Sequence, residues 1–295
     1  MNNSLSTNYS RQCVLVQMEA VHEEVIASVV HSLNANNYHV NVIVNEDCKL
    51  RRGDIFEVGF DHLDFCVSYV NINGKQRWDD LRLTINSMDD IDFCLFNTFQ
   101  RAGIMLWSQE LNVPVIGLVH NVRLFIDSIE SHASLADGFS GLVVLADHVK
   151  NTLLDSLAQS KITYGRFEVR TIFPCDWGAR TEKSFPTNHA LHFAIPGGVD
   201  FRNRDFEGLI KSLCQIGDRE IGVKFVILGG GPDRGLLSDS INEHNLCKYF
   251  DFAPLSASGK VVYRTYFEYL ARCHCILPLL PRRSSYERIK ISSSF

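Results

Sequence analysis

Residues 195–210 read IPGGVDFRNRDFEGLI, and the apolar run LHFAI at 191–195 leads into them. The run predicts a buried strand, and the apolar positions beyond the glycine pair recur at helical spacing, which predicts a helix over 205–215. In an open parallel sheet, ligands bind beyond the carboxyl ends of the strands. Glycines there let the backbone approach a ligand closely, and a following helix directs N–H groups toward an anion.

The candidate binding residues of this turn are Gly197, Gly198 and Arg204. Arg204 comes six residues after Gly198, close to the predicted helix start. A guanidinium at that place can meet phosphate oxygens in bidentate fashion. A simpler interpretation stays open, in which the glycines only make a tight turn and Arg204 is solvated.

A second glycine cluster, Gly229-Gly230-Gly231-Pro232, follows the strand predicted at 223–228. Neither cluster fits the G-x-G-x-x-G pattern or the P-loop pattern, so a dinucleotide-dependent dehydrogenase and a P-loop enzyme are not indicated. The chain also lacks a G-x-S-x-G elbow, so a hydrolase triad is not indicated. The run Cys273-His274-Cys275 has no second ligand pair at zinc spacing, and no metal site is predicted.

Strands and helices alternate along the whole chain, which predicts parallel-sheet βαβ units and an α/β fold. A break at 173–188 contains prolines and mixed charges, and we interpret it as a linker. It divides a predicted first domain, 1–186, from a second domain, 187–295. The predicted strands are 13–18, 40–44, 65–70, 93–96, 114–119, 142–145, 191–195, 223–228, 249–252 and 275–279. The predicted helices are 23–33, 78–88, 102–111, 147–157, 205–215, 235–244 and 263–272.

Composition limits the possible classes of protein. The 295 residues carry a formal net charge of −5, whereas nucleic-acid-binding proteins usually show a basic stripe. No apolar run approaches the roughly 18 residues of a membrane helix, and the N-terminus does not resemble a secretory signal. The nine cysteines are scattered, several of them within apolar segments, which is typical of reduced thiols. We therefore expect a cytoplasmic protein that has no transmembrane segment and binds no nucleic acid.

Three stretches together resemble the nucleotide-sugar domain of GT-B glycosyltransferases of the group 1 type. These are residues 195–210, the run FVILGGGPD at 225–233, and the run YLARCHCILP at 269–278, which occur in the order of that family. The resemblance implies two Rossmann-like domains that face each other across a cleft. It further implies transfer of a sugar from a nucleotide-diphosphate donor to an unidentified acceptor (a glycan, a lipid or a small molecule), without a cofactor.

The resemblance also suggests roles for particular residues. Gly198 and Arg204 would hold the donor diphosphate, with Gly229 and Gly231 close to the donor. His120, at the end of a first-domain strand, would face the sugar, although a residue that only satisfies backbone groups in a turn is an alternative. Glu23 would act as a base or contact the acceptor, although an acidic residue at a helix start also complements the helix dipole.

The chain departs from the family at two places. The segment after the first predicted strand lacks the glycine-rich acceptor loop, and the chain ends at Phe295, before the expected carboxylate-bearing loop. We therefore expect a C-terminally truncated chain with an incomplete second domain. The missing carboxylate-bearing loop leaves open an inactive GT-B-like scaffold that binds a nucleotide or a partner. A sugar-nucleotide epimerase of similar architecture is a further alternative.

Overall fold

The computed structural model describes residues 11–19, 22–52, 55–57, 63–72, 75–132, 134–135, 138–160, 168–171, 190–216 and 222–280. The chain divides into two compact units, and each is built on its own parallel sheet. The predicted linker at 173–188 lies outside the described residues. Within the described part, no helix is both long enough and apolar enough to span a membrane.

The first unit contains a parallel sheet with the strand order β3-β2-β1-β4-β5-β6-β7. Its strands are β1 (Arg11–Gln17), β2 (Tyr38–Asn45), β3 (Phe65–Val70), β4 (Ile91–Phe96), β5 (Val115–Leu118), β6 (Gly141–Val144) and β7 (Glu168–Thr171). The helices in this part of the chain are α1 (Ile26–Ala35), α2 (Glu46–Arg52), α3 (Lys75–Asn86), α4 (Ala102–Ser108), α5 (Val122–Ser131) and α6 (Asp147–Gln159).

The order in which successive strands are added to this sheet reverses between β1 and β4. From β1 it proceeds outward through β2 and β3, and then it returns so that β4 pairs with the other edge of β1, with Val16 opposite Phe96. The connections after β1 and after β4 therefore leave in opposite directions. This separation opens a crevice at the carboxyl ends of the two strands, which is where open α/β sheets bind ligands.

The second unit repeats this arrangement with a smaller sheet of order β10-β9-β8-β11, all parallel. Its reversal lies between β8 and β11. The strands are β8 (Leu191–Ile195), β9 (Val223–Ile227), β10 (Phe250–Phe252) and β11 (Cys275–Ile276), and the helices are α7 (Phe206–Ile216), α8 (Arg234–Glu243) and α9 (Tyr263–Arg272).

Burial on both faces explains the nearly continuous apolar runs of the central strands. All residues of β1 from Cys13 to Gln17 are buried. Phe96 of β4 packs at tilted and edge-on angles against Phe99 and Trp107, which joins the sheet to α4. In the second unit, Phe206 of α7 is fully buried in a separate apolar cluster. Parallel sheets covered by helices on both sides require this pattern.

The α/β class predicted from the sequence is confirmed, and so are the bounds of β3, β8 and α9. The sequence analysis missed α2, α5 and β7. The helix expected from residue 23 begins instead with a 3-10 turn, Glu23–Val25, because His22 before it has a left-handed backbone (φ 63°). The strand expected over 275–279 ends at Ile276, since Pro278 and the left-handed Leu279 (φ 51°) cannot extend it.

We expect Phe96→Ala to lower the free energy of unfolding of the first unit by about 3–5 kcal/mol, because a fully buried ring would be replaced by a cavity. Urea unfolding followed by circular dichroism measures this change. Leu83→Ala is the control, since Leu83 lies on α3 with 63% of its surface exposed, and its effect stays within about 0.5 kcal/mol. Equal effects of the two substitutions would show that this core is placed wrongly.

Candidate functional site

The glycine turns after β8 and β9 pack backbone against backbone. The amide of Val199 donates to the carbonyl of Gly230 (2.8 Å), and the amide of Leu228 donates to the carbonyl of Ile195 (3.0 Å). A Cβ atom on Gly229 would collide with the carbonyl oxygen of Gly197. The structure therefore brings together the two glycine clusters that the sequence analysis selected.

Two of these glycines have backbone angles that other residues rarely adopt. Gly197 has φ 83° and Gly231 has φ 151°. A Cβ atom on Gly231 would also strike the backbone of Val199. Gly198 and Gly231 are the exposed members of the two turns. The turns thus present main chain without side chains at Gly198 and Gly231, so an anion could approach the backbone directly at the carboxyl edge of the second sheet.

Asp233 and Arg234 hold the second turn in place, and the sequence analysis did not select either of them. Asp233 Oδ2 accepts a hydrogen bond from the amide of Phe201 (2.8 Å). The guanidinium of Arg234 donates to the carbonyl of Gly229 and to the carbonyl of Ala253, each at 2.6 Å. Burial lowers the pKa of Arg234. The sequence signal was their position directly after the Gly229–Pro232 turn, at the start of α8.

Arg204 lies at the reversal point of the second sheet. Only 7% of its surface is exposed, and its Nη1 donates a hydrogen bond to the carbonyl of Pro278, just beyond β11. The next residue, Asp205, donates its amide to the carbonyl of Leu279 (2.8 Å). The alternative interpretation, in which Arg204 is merely solvated, is therefore wrong. Its guanidinium links the loop that follows β8 to the segment that follows β11. Binding of a phosphate by Arg204 stays a prediction.

His120 occupies the corresponding edge of the first sheet, directly after β5 and Val119. Its Nε2 lies 2.6 Å from the carbonyl oxygen of Asn97. Because a carbonyl oxygen can only accept, Nε2 carries the proton and Nδ1 keeps its lone pair. The ring is stacked on His22 with a centroid separation of 3.9 Å. Burial, with a smaller contribution from His22, lowers the pKa of His120 to about 3, so that the imidazole is neutral near pH 7.

Asn97 connects the end of β4 to the neighbouring strands. Its amide nitrogen Nδ2 donates to Gln17 Oε1 at the end of β1 and to the carbonyl of His22 (2.8 Å). Glu23 follows His22 and is buried, with 2% of its surface exposed. A carboxylate that only complements a helix dipole can stay in water, so this burial favours a further role for Glu23.

Among the described residues, three buried polar atoms just beyond β4 and β5 have no hydrogen-bond partner. They are Oδ1 of Asn97, Oγ1 of Thr98 and Nδ1 of His120. Leaving a buried acceptor unsatisfied costs about 1–3 kcal/mol. An oxygen-rich ligand with several hydroxyl groups would satisfy these atoms. The sequence analysis missed Asn97 and Thr98, although their position directly after an apolar strand was a signal for a ligand-binding edge.

The predicted site residues thus form two groups. At the carboxyl edge of the second sheet lie Gly197, Gly198, Gly229, Gly231 and Arg204, whereas His120 and Glu23 belong to the first unit. Each group lies at the place where its own sheet reverses strand order. The described residues contain no set of three or more His, Cys, Asp or Glu side chains arranged to hold a metal ion.

Comparison with solved structures identifies this architecture as the fold of GT-B glycosyltransferases. The pneumococcal O-GlcNAc transferase GtfA, solved with UDP and GlcNAc, matches with a TM-score of 0.55 at 10% identity, over 83% of this chain and 76% of that chain. A glycosyltransferase from Rickettsia africae matches with a TM-score of 0.51 at 12% identity, over 84% of this chain and 69% of that chain. No family model matches the sequence, and no curated protein matches it.

We expect Gly229→Ala to destabilise the second unit by about 2–3 kcal/mol, because the new methyl group would overlap the carbonyl of Gly197. Thermal and urea unfolding measure the change. Gly235→Ala is the matched control, because Gly235 lies in α8 and a Cβ atom added there would meet no atom within 4 Å. Alanine there should stabilise by about 0.5–1 kcal/mol. A neutral Gly229→Ala would contradict the close approach of the two turns.

The depressed pKa of His120 predicts a pH dependence of stability. Between the ordinary value of 6.5 and about 3, the unfolded chain binds a proton at this residue and the folded chain does not. The stabilisation is complete above pH 6.5 and is lost as the pH falls below it, by about 1.4 kcal/mol per pH unit. Urea unfolding at about pH 7 and about pH 5 should show a loss about 2 kcal/mol larger in the wild type than in His120→Gln. Equal losses would mean that His120 titrates normally.

Proposed function

We propose that this chain is a glycosyltransferase that uses a nucleotide-diphosphate sugar. The observation that carries the proposal is the paired glycine turns at the carboxyl edge of the second sheet, together with Arg204, which reaches the carbonyl of Pro278 just beyond β11 at the same edge. Exposed main chain at Gly198 and Gly231 suits a diphosphate, because backbone amides can approach its oxygens without obstruction by side chains. The fold supports this assignment, since the two solved structures compared above are glycosyltransferases.

In the proposed reaction, the bond between the sugar's anomeric carbon and the diphosphate oxygen breaks, and a bond to the acceptor oxygen forms. Negative charge grows on the departing diphosphate. Arg204 and the glycine amides stabilise that charge, and they are already oriented before the reaction begins. Glu23 takes the proton of the acceptor hydroxyl group.

His120 is proposed to position the sugar. Its Nδ1 lone pair is buried and unsatisfied among the described residues, so it can accept a hydrogen bond from a sugar hydroxyl group. The low pKa keeps the ring neutral, which preserves that lone pair at physiological pH. A hydrogen-bond acceptor of fixed orientation is more consistent with this environment than a group that must become charged, because burial penalises the imidazolium.

A scaffold without transferase activity is the second candidate function. The burial of Arg204 and its hydrogen bond to Pro278 favour it, because they give the arginine a structural role that needs no ligand. Product analysis with a panel of nucleotide-sugars distinguishes the two functions. Sugar transfer that His120→Ala abolishes would support the enzyme, and nucleotide binding without transfer to any acceptor would support the scaffold.

A reducing compartment is part of the proposal. The eight cysteines within the described residues are thiols. Burial raises the pKa of Cys13 to about 12, and the fully buried Cys94 is shifted in the same direction. Thiols in that state are unreactive packing groups, which is the usual condition of cysteines in cytoplasmic proteins.

We expect Arg204→Ala to weaken nucleoside-diphosphate binding by at least about tenfold, because a charge-assisted hydrogen bond contributes about 1.5–3 kcal/mol. Isothermal titration calorimetry with UDP, GDP and ADP measures the affinity. Arg202→Ala is the matched control, since it removes the same charge from the same loop and its side chain is 82% exposed. That variant should bind within about twofold of the wild type, apart from a weak long-range effect of charge.

The binding measurement requires a folded variant, because Arg204 also donates to Pro278. Arg204→Lys is the variant expected to stay folded. A lysine keeps the charge but not the planar pair of donors, so a partial loss of affinity is expected. Melting temperatures of both variants report whether the second unit is intact. Wild-type affinity in a folded Arg204 variant would remove this residue from the proposed site, and no binding of any nucleotide by the wild type would overturn the function.

A further inference from the structure

A cavity of about 620 Å³ opens between α3 and α4 of the first unit. Trp78, Ile104, Leu106 and Trp107 give it mostly apolar walls, and Gly103 leaves one side without a side chain. Its volume falls in the range of pockets that bind small organic molecules. None of the residues discussed above as candidates for the nucleotide-sugar site lines it.

Two tryptophan rings form the body of this cavity. Their ring centroids are 5.2 Å apart and the planes meet at 67°. The indole N–H of Trp107 donates to the backbone carbonyl of Trp78 (3.1 Å), which uses the polar group of that ring. Trp107 also packs edge-on against the buried Phe96. The rings are therefore fixed by the core and present aromatic surface, which suits a flat, apolar ring system.

Charged side chains at the rim differ in how completely they are neutralised. Arg82 is paired with both Asp79 (3.0 Å) and Glu110. Arg101 lies beside Glu19, with 2.8 Å between Nε and Oε1, and its side chain is 66% exposed. Because Arg82 is already shared by two carboxylates, Arg101 is the better placed of the two guanidinium groups to pair with an anionic substituent.

We propose that this cavity binds a small aromatic anion: a flat apolar ring system packed against Trp78 and Trp107, with an acidic group held by Arg101. The proposal does not depend on the nucleotide-sugar function, because it shares no residue with that site and the ligand is a different chemical class. The site is a second ligand site of the chain.

Gly103 offers a way to fill the cavity without disturbing the fold. It is the second residue of α4, it is exposed, and a Cβ atom there would meet no atom within 4 Å. Gly235 has the same properties as the second residue of α8 in the other unit. Gly103→Leu and Gly235→Leu therefore form a matched pair in which only the first blocks the proposed site.

The test uses the dye 1-anilinonaphthalene-8-sulfonate and its uncharged analogue N-phenyl-1-naphthylamine, each titrated into the full chain without nucleotide. Two of the three tryptophans of the chain line the cavity, so energy transfer from tryptophan reports binding there. We expect both dyes to bind the wild type and Gly235→Leu alike, and Gly103→Leu to weaken both at least tenfold. Unchanged melting temperatures show that dye binding does not come from unfolded chain.

Arg101→Gln separates the two parts of the proposal. Loss of the guanidinium should weaken the sulfonated dye about tenfold and leave the uncharged dye within twofold, because only the former carries the anion. Equal affinity of Gly103→Leu and wild type for both dyes would overturn the site. Equal affinity of Arg101→Gln and wild type for the sulfonated dye would overturn the assignment of the anion to Arg101.

Discussion

The reversal of strand order in a parallel sheet is the constraint on which the rest of this structure depends. In each unit the chain winds away from its first strand and then returns to pair with the opposite edge, β4 beside β1 and β11 beside β8. Connections that leave such a point in opposite directions open a gap at the carboxyl ends of the strands beside it. Whatever fills the gap must come from the residues just beyond the strands.

The two units fill this gap with different chemistry. The first unit uses buried polar side chains, with Asn97 bound to Gln17 and supporting His120 through its carbonyl. The second unit uses main chain from its glycine turns together with the guanidinium of Arg204. Neutral acceptors suit hydroxyl groups, and amides with a cation suit phosphates.

The part of this architecture that rests on local pattern was predictable from the sequence. The order strand–glycine–helix predicted that Gly197 and Gly198 lie in the turn after a strand, and apolar runs predicted β3 and β8. The parts that depend on distant residues were not predictable in the same way. Asn97 acquires its hydrogen bond to Gln17 only because β1 pairs beside β4, and the sequence near Asn97 does not show that pairing. The buried guanidinium of Arg204 finds its acceptor at Pro278, which lies 74 residues further along the chain. Helix α5 was missed although Asn121 caps its first turn.

Burial of the candidate residues bears on the proposed catalysis as well as on stability. A guanidinium and an imidazole that are already removed from water interact with a ligand through a weakly screened field, and they need little reorganisation when charge develops. The fold offsets the desolvation of these side chains with hydrogen bonds. The carbonyl of Pro278 accepts one from the Arg204 guanidinium, and the carbonyl of Asn97 accepts one from Nε2 of His120. Both compensating groups are backbone carbonyls at strand ends. The sheets that create the gaps therefore also supply the acceptors that orient the side chains within them.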